Sequence, residues 1–292
     1  MSILKKVLIT GSKGQLGRAL AKVLRDDYQL FLYDVEEMDI TSEKHSLSIV
    51  SQIQPDCIIH CAAFTRVDDC EKMQEEAYLV NAAGAANVAK AAEYCGAELI
   101  HVSTDYIFDG AGAFESGRIR PYRETDQPNP INSYGRTKLE GEILVQNTCK
   151  RTYIVRTAWL YGEGHNFVRT MLQLAGTGNP IRVVDDQKGN PTSALELARA
   201  IRKLMFSGQY GTYHATCEGE CTWYAFAKRI FELAGLEVHT TPITTAEYPT
   251  PAKRPKYSVL ENAALRDRLG YEMAHWDKAL AEYIHEEVKI NP

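Results

Sequence analysis

Tyr134 and Lys138 stand four residues apart in the stretch SYGRTKLEGE, which reads as the opening of a helix. Residues i and i+4 share one helix face, so the spacing brings an ammonium close to a phenol. A neighbouring cation favours phenolate and lowers a tyrosine pKa from its usual value of about 10. That makes Tyr134 a general acid for protonating an alkoxide, or a base for the reverse reaction. The spacing alone is common by chance. It gains weight from Thr104, at the end of the apolar run AELIHVST, because a hydroxyl there can donate to a carbonyl while Tyr134 delivers the proton.

A second cluster lies near the N-terminus. TGSKGQLG places Gly11, Gly14 and Gly17 between an apolar run and an amphipathic segment. Gly11 suits a tight turn, Gly14 lets backbone approach a pyrophosphate, and Gly17 lets a helix pack closely on a strand. The helix N-terminus then offers free N–H groups and a partial positive charge to the phosphates. The spacing is GxxGxxG, not the more usual GxGxxG. Asp34 follows at the end of the next apolar run, where a carboxylate accepts from a ribose hydroxyl. Taken alone it favours NADH over NADPH, while Lys13 inside the loop can offset repulsion of a 2′-phosphate, so both remain open. MDIT puts Asp39 and Ile40 where an adenine edge would lie.

The elements that must carry these groups alternate. Apolar runs at 5–10, 29–34, 56–63, 97–104 and 152–162 are separated by helical periodicity at 15–27, 45–54, 75–96 and 134–146. Continuous apolar strands between amphipathic helices imply a parallel sheet covered on both faces, an α/β doubly wound (Rossmann) fold. Ligands of such sheets bind beyond the carboxyl ends of the strands. The glycine loop, CAAFT (61–65) and Ser103-Thr104 all emerge there, so the chemistry converges on one crevice. Ile107 and Phe108 are expected to return to packing. Later the spacing loosens: 185–193 reads as a turn-rich loop, 194–206 as a helix and 211–216 as a strand. The expected division is a dinucleotide-binding domain at 1–161 and a smaller, mainly substrate-binding C-terminal lobe at 162–292, with 193–216 returning to the first.

The 292 residues carry a net charge of −5 and are 45% hydrophobic, which gives no basic footprint for nucleic acid. The seven cysteines form no CxxC pair and read as inert thiols, with Cys57 and Cys61 buried. No apolar run is long enough for a signal peptide or a membrane span, so a cytoplasmic protein is expected.

With these residues in hand, the chain resembles the extended short-chain dehydrogenase/reductases and, within them, the dTDP-4-dehydrorhamnose reductase family. The resemblance runs nearly end to end, through GSKGQLG, YDVEEMDIT, HCAAFTRVDDCE, NAAGAANVAKAA, VSTDYIFDG, NSYGRTKLEGE, RTAWLYG, NFVRTML, VVDDQKGNPT and TPAKRPKYSVL. It implies NADPH- or NADH-dependent reduction of a nucleotide-sugar ketone, with Thr104, Tyr134 and Lys138 as the catalytic triad. Gly14, Gln15, Leu16, Asp34, Asp39, Ile40, Ala63, Phe64, Thr65 and Val102 would line the cofactor, and Lys138 would also hold its ribose. Thr104, Asp105 and Trp159 would contact the deoxysugar, and the loops around Gln187 and Arg254 the nucleotide diphosphate. The bare residues equally allow Trp159 as a core aromatic, Arg254 as a solvated cation and Asp105 as a cap.

Some family members are dimers joined through Mg²⁺ held by two carboxylates. The matching positions here are Ala19 and Leu195, so no metal is expected, and monomer or homodimer stays open. Related dehydratases carry Thr-Asp-Glu where this chain has Thr104-Asp105-Tyr106, and without the glutamate elimination of water lacks its acid. The alternatives are another nucleotide-sugar epimerase or reductase, or a non-catalytic regulatory subunit on the same fold.

Overall fold

The computed structural model describes residues 4–288. Six parallel strands form the central sheet: β1 (Lys6–Thr10), β2 (Gln29–Tyr33), β3 (Cys57–His60), β4 (Glu98–Thr104), β5 (Thr152–Thr157) and, after a short strand β6 (Ile181–Val184) outside the sheet, β7 (Gly211–His214). Their order is β7-β5-β4-β3-β1-β2. The chain leaves β1 toward β2 on one side and returns to β3 on the other. Between β1 and β3 lies the switch point, where a crevice opens at the carboxyl ends of the strands.

The apolar residues of the inner strands alternate between two cores, while edge strand β2 stays partly exposed. Val7, Ile9, Cys57, Ile59, Tyr153 and Val155 point to one side, where α1 (Gln15–Leu24) and α6 (Ala194–Leu204) pack together. Leu8, Ile58, Leu99 and Ile154 point to the other, against α2 (Glu43–Ile53), α3 (Ala85–Cys95) and Val145 of α4 (Ser133–Thr148). Strands buried on both faces explain why their sequences read as continuous apolar runs. The segment between β5 and the C-terminus builds a third core from α5 (Phe167–Ala175), β6, α7 (Trp223–Leu233) and α8 (Trp276–Tyr283), including Tyr161, Met171, Phe226, Phe231 and Leu280. Here β6 pairs in parallel with β8 (Thr240–Ile243). Ile107 and Phe108 do return to packing, in a small cluster with Tyr122 and Leu260.

Three sequence expectations are corrected. The strand expected over 152–162 ends at Thr157, because Trp159 adopts φ +45° and breaks the extended run before a short return at Leu160–Tyr161. The helix expected over 75–96 is not uniform: α-helix at Gln74–Tyr78 passes through a π-helical turn, Leu79–Gly84, before α3 begins. Cys61 is only half-buried and borders the crevice, though all seven cysteines are free thiols and burial pushes the Cys61 pKa up to about 12. No described helix is long and apolar enough to cross a membrane.

Candidate active site

The crevice at the switch point has a volume of about 950 Å³. It is bordered by all the expected cofactor residues: Gly11, Gly14, Gln15, Leu16, Gly17, Asp34, Asp39, Ile40, Ala63, Phe64, Thr65, Val102, Tyr134 and Lys138. Thr104, Asp105 and Trp159 border it too. Gln187 and Arg254 border a second cavity instead.

The glycine turn is built without side-chain space. Gly11 sits at φ +65°, and a Cβ on it would lie 2.7 Å from the Ala62 nitrogen. At Gly17 a Cβ would lie 2.5 Å from the Gly11 carbonyl oxygen and 2.6 Å from the Ser12 Cα. The Gly14 N–H closes the turn on the Gly11 carbonyl at 3.0 Å, and α1 then starts with no side-chain cap on its first N–H groups. Open helix donors facing a cleft suit a pyrophosphate. We expect Gly17→Ala to push the turn away from α1 and weaken NADPH or NADH binding by at least about tenfold, a cost of about 1.4 kcal/mol or more, measured by fluorescence titration; unchanged affinity would contradict this role.

At the far end of the cleft, Asp34 accepts from the Lys13 N–H (2.9 Å) and the Val35 N–H (2.9 Å). The Lys13 ammonium is drawn to Glu36 at 2.5 Å and lies 3.7 Å from Glu37. The sole cation in the loop is therefore shared among carboxylates, and offers a 2′-phosphate less than its sequence position suggests. Asp39 accepts from the Thr41 N–H and hydroxyl at 2.9 and 2.6 Å, fixing the turn that presents Ile40. The loop 61–65 is clamped by a residue that sequence reasoning missed. Asn81, in the π-turn and 1% exposed, accepts from the Phe64 N–H (2.8 Å) and donates to the Phe64 carbonyl and to Thr137 of α4, each at 3.1 Å.

Tyr134 and Lys138 are placed by the start of α4. The Asn132 side chain accepts from the Gly135 N–H at 2.8 Å, and Glu71 accepts from the Ser133 N–H at 2.7 Å, so a carboxylate meets the positive end of the helix. The Lys138 ammonium donates to the Val102 carbonyl at 2.7 Å, tying α4 to β4. Burial lowers the Lys138 pKa to about 8, against the opposing pull of Glu142 and Cys61. Tyr134 lies beside the Thr104 hydroxyl and meets Tyr106 edge-on, with ring centroids 5.8 Å apart. The expected lowering of its pKa by the neighbouring lysine is not what the structure shows. Burial dominates and raises the Tyr134 pKa, with the Asp105 charge adding to the rise. Tyr134 is thus a firmly protonated phenol, the form a proton donor needs.

Asp105 is 2% exposed. The Thr104 hydroxyl donates to one of its oxygens at 3.1 Å, while the other has no partner. Burial pushes its pKa up from 3.8 to about 7, partly offset by the neighbouring hydroxyls of Ser258 and Thr104. Between those two pH values the folded protein holds a proton that the unfolded chain has lost, so stability falls as pH rises from about 4 to 7 and then levels. Asp105→Asn does not titrate. Its stability relative to the wild type, read from urea midpoints, is expected to be near equal at pH 4 and to exceed it by on the order of 3–4 kcal/mol at pH 8; a gap independent of pH would contradict the buried neutral carboxyl.

Trp159 forms the wall between the two cavities. A bulky residue at positive φ costs on the order of 1–3 kcal/mol, and an aromatic contact returns about 0.5–1.5 kcal/mol beyond its buried area. Its indole lies flat on Trp223, the first residue of α7, with ring centroids 3.5 Å apart and 6° between planes. Gly189 makes room for it, since a Cβ there would lie 2.6 Å from the indole nitrogen. Trp223 is a second residue that sequence reasoning missed; TWYAFA reads only as an amphipathic helix start.

The second cavity, about 640 Å³, is bordered by Phe167, Arg182, Gln187, Trp223, Tyr248 and Arg254 among others. Gln187 donates to the Thr245 hydroxyl at 3.0 Å. Arg254 reaches both oxygens of Asp68 at 3.1 and 2.9 Å and also the Thr250 hydroxyl at 2.5 Å. Its guanidinium is therefore held at the cavity by a carboxylate that an incoming anion would have to rival.

A glycine turn on an uncapped helix, an acidic strand end beyond it, and a Thr–Tyr–Lys set at the switch point define an NAD(P)H-dependent oxidoreductase of the doubly wound class. The chain belongs to the RmlD substrate binding domain family, whose model matches residues 5–289. It is 43% identical to the spore coat polysaccharide biosynthesis protein SpsK of Bacillus subtilis, with 96% of this chain and 97% of that protein aligned. Among solved structures, a dTDP-4-dehydrorhamnose reductase from Clostridium acetobutylicum is 47% identical with a TM-score of 0.92, covering 96% of this chain and 98% of its own. The Bacillus anthracis dTDP-4-dehydrorhamnose reductase in complex with NADP is 41% identical with a TM-score of 0.93, covering 97% and 100%.

Proposed function

We propose that this protein reduces the C4 ketone of dTDP-4-dehydro-L-rhamnose to dTDP-L-rhamnose with NADPH or NADH, supplying an activated deoxysugar for cell-surface polysaccharide. The observation that carries the reading is the meeting of the Thr104 hydroxyl, the Tyr134 phenol and the Lys138 ammonium in the same crevice as the glycine turn. When bound, the dinucleotide supplies the hydride.

Each protein group has a task. The 11–17 turn and the first N–H groups of α1 hold the pyrophosphate, Asp34 accepts from the adenosine ribose, and Asp39-Ile40 border the adenine. Gln15, Leu16, Ala63, Phe64, Thr65 and Val102 line the remainder. Lys138 holds the other ribose and, as an ammonium, favours the phenolate left on Tyr134 after proton transfer. The Thr104 hydroxyl, which donates to Asp105 in this structure, turns to the C4 oxygen, and Tyr134 gives that oxygen its proton. Asp105 and Trp159 contact the deoxysugar. Gln187 and Arg254 serve the nucleotide diphosphate, for which a guanidinium fork is well matched.

The same reading counts 1–161 with the returning 193–216 segment as the dinucleotide-binding domain and the rest of 162–292 as the substrate lobe. The packing of α6 on α1 and the pairing of β7 with β5 support it. It also takes the protein to act in the cytoplasm, as a monomer or homodimer. The decisive assay supplies dTDP-4-dehydro-L-rhamnose with NADPH or NADH and follows loss of nicotinamide absorbance; no turnover with either cofactor would overturn the reading.

A further inference from the structure

A stacked indole pair stands between the two cavities. Trp159 borders the cofactor crevice and Trp223 borders the second cavity. Trp159 has its backbone in the left-handed region, and its ring lies flat on the ring of Trp223 with Gly189 close beside it. Trp223 is itself wedged. Phe167 lies 4.6 Å from it at 50° and Phe226 at 6.4 Å, while the Thr222 hydroxyl accepts from the Ala225 N–H and donates to Asp185. The firm partner thus belongs to the substrate lobe, and the strained partner to the crevice.

We propose that Trp223 is a positioning residue for the reduction: it holds Trp159 in its left-handed conformation beside the reacting end of the crevice, so the lobe that receives the nucleotide half of the substrate also sets the surface that receives the sugar half. This rests on the proposed reading of the second cavity as the nucleoside diphosphate site. Trp223 touches neither cofactor nor the reacting carbonyl, and acts through Trp159. Its removal leaves Trp159 free to relax, which misplaces the sugar without altering the glycine turn.

The test compares wild type, Trp223→Ala and Trp223→Phe. The chain has three tryptophans. Of the three, only Trp159 and Trp223 lie face to face; Trp276 instead meets Phe226 edge-on. The stack therefore carries its own signature, an exciton couplet in the circular dichroism of the ligand-free enzyme, which both substitutions remove. Trp223→Ala is expected to lower kcat by about 10- to 100-fold while the Kd for NADPH or NADH stays within about twofold of wild type. Trp223→Phe restores a flat ring and is expected to recover most of the lost kcat, a rescue that general destabilisation would not produce. If Trp223→Ala does not fold, Trp223→Leu, which keeps apolar bulk without a ring face, takes its place.

Absence of the couplet in wild type, or wild-type kcat and KM in the alanine or leucine variant, would overturn the proposal. A wild type that shows the couplet but never turns over the sugar nucleotide fails differently. That result removes the reading of the reaction, and this inference with it.

Discussion

Replacing Tyr134 with phenylalanine is expected to lower kcat by about 10²–10⁴, the usual contribution of a positioned general acid, with the Kd for NADPH or NADH changed little. The expectation follows from two features. The phenol is half-buried beside Thr104, Asp105 and Tyr106, where desolvation raises its pKa and keeps it protonated, next to the Thr104 hydroxyl intended for the carbonyl. Phenylalanine keeps the ring packing against Tyr106 and deletes only the proton. Steady-state kinetics with a parallel cofactor titration separate chemistry from binding. Activity within tenfold of wild type would identify another donor. Asp105 is then the candidate, because its carboxyl adjoins Thr104 and burial holds its pKa at about 7.

Glu142→Gln is expected to cost about 3–5 kcal/mol of stability, the usual penalty for leaving one member of a buried ion pair alone. Glu142 and Arg156 are 2% and 5% exposed, and Arg156 Nη2 donates to Glu142 at 2.7 Å while its Nε meets both carboxylate oxygens at 3.0 and 3.1 Å. The remaining nitrogen, Nη1, has no partner, so little else could compensate the stranded guanidinium. The effect reaches the active site because Glu142 lies one helical turn beyond Lys138 and raises its pKa against the lowering caused by burial. Without that charge Lys138 loses its proton at lower pH, so the alkaline fall in kcat moves to lower pH. Urea unfolding and a pH–rate profile check the two effects separately. Pairing Glu142→Gln with Arg156→Met is expected to return most of the stability, since no unpaired charge remains, but not the pH profile.

The chemistry of this protein was more legible than its scaffolding, for a physical reason. A glycine turn and a Tyr–Lys pair one helical turn apart are local: the constraint is met within a few residues, so type and spacing reveal it. The doubly wound sheet was legible because strands buried on both faces leave continuous apolar runs. Asn81, Trp223 and the Glu142–Arg156 pair are instead defined by partners 14 to 64 positions away, Phe64, Thr137, Trp159 and Arg156. Nothing in their own neighbourhoods distinguishes them from ordinary helix or strand residues. The pKa of Tyr134 was misjudged on the same account, because the i+4 spacing announces a nearby cation but not the depth of burial. Trp159 read as a deoxysugar contact or a core aromatic on a continuing strand; only its φ reveals that the strand had ended.

The π-turn at Leu79–Gly84 carries a consequence for how this chain tolerates changes in length. Each α-helical residue advances about 100° around the axis, so the wider turn puts Gln74–Tyr78 and α3 out of phase with each other. Tyr78 and Leu79 consequently face solvent, 47% and 45% exposed, whereas Ala85, Val88 and Ala92 face the core. Asn81 faces inward to Phe64 because of where it falls in that wider turn. Deleting one residue here would restore regular winding while swinging the amide off the cofactor loop. Of two equally small edits to an outwardly ordinary helix, a substitution at solvent-facing Tyr78 is predicted to be mild, whereas a single-residue deletion would unlatch the crevice.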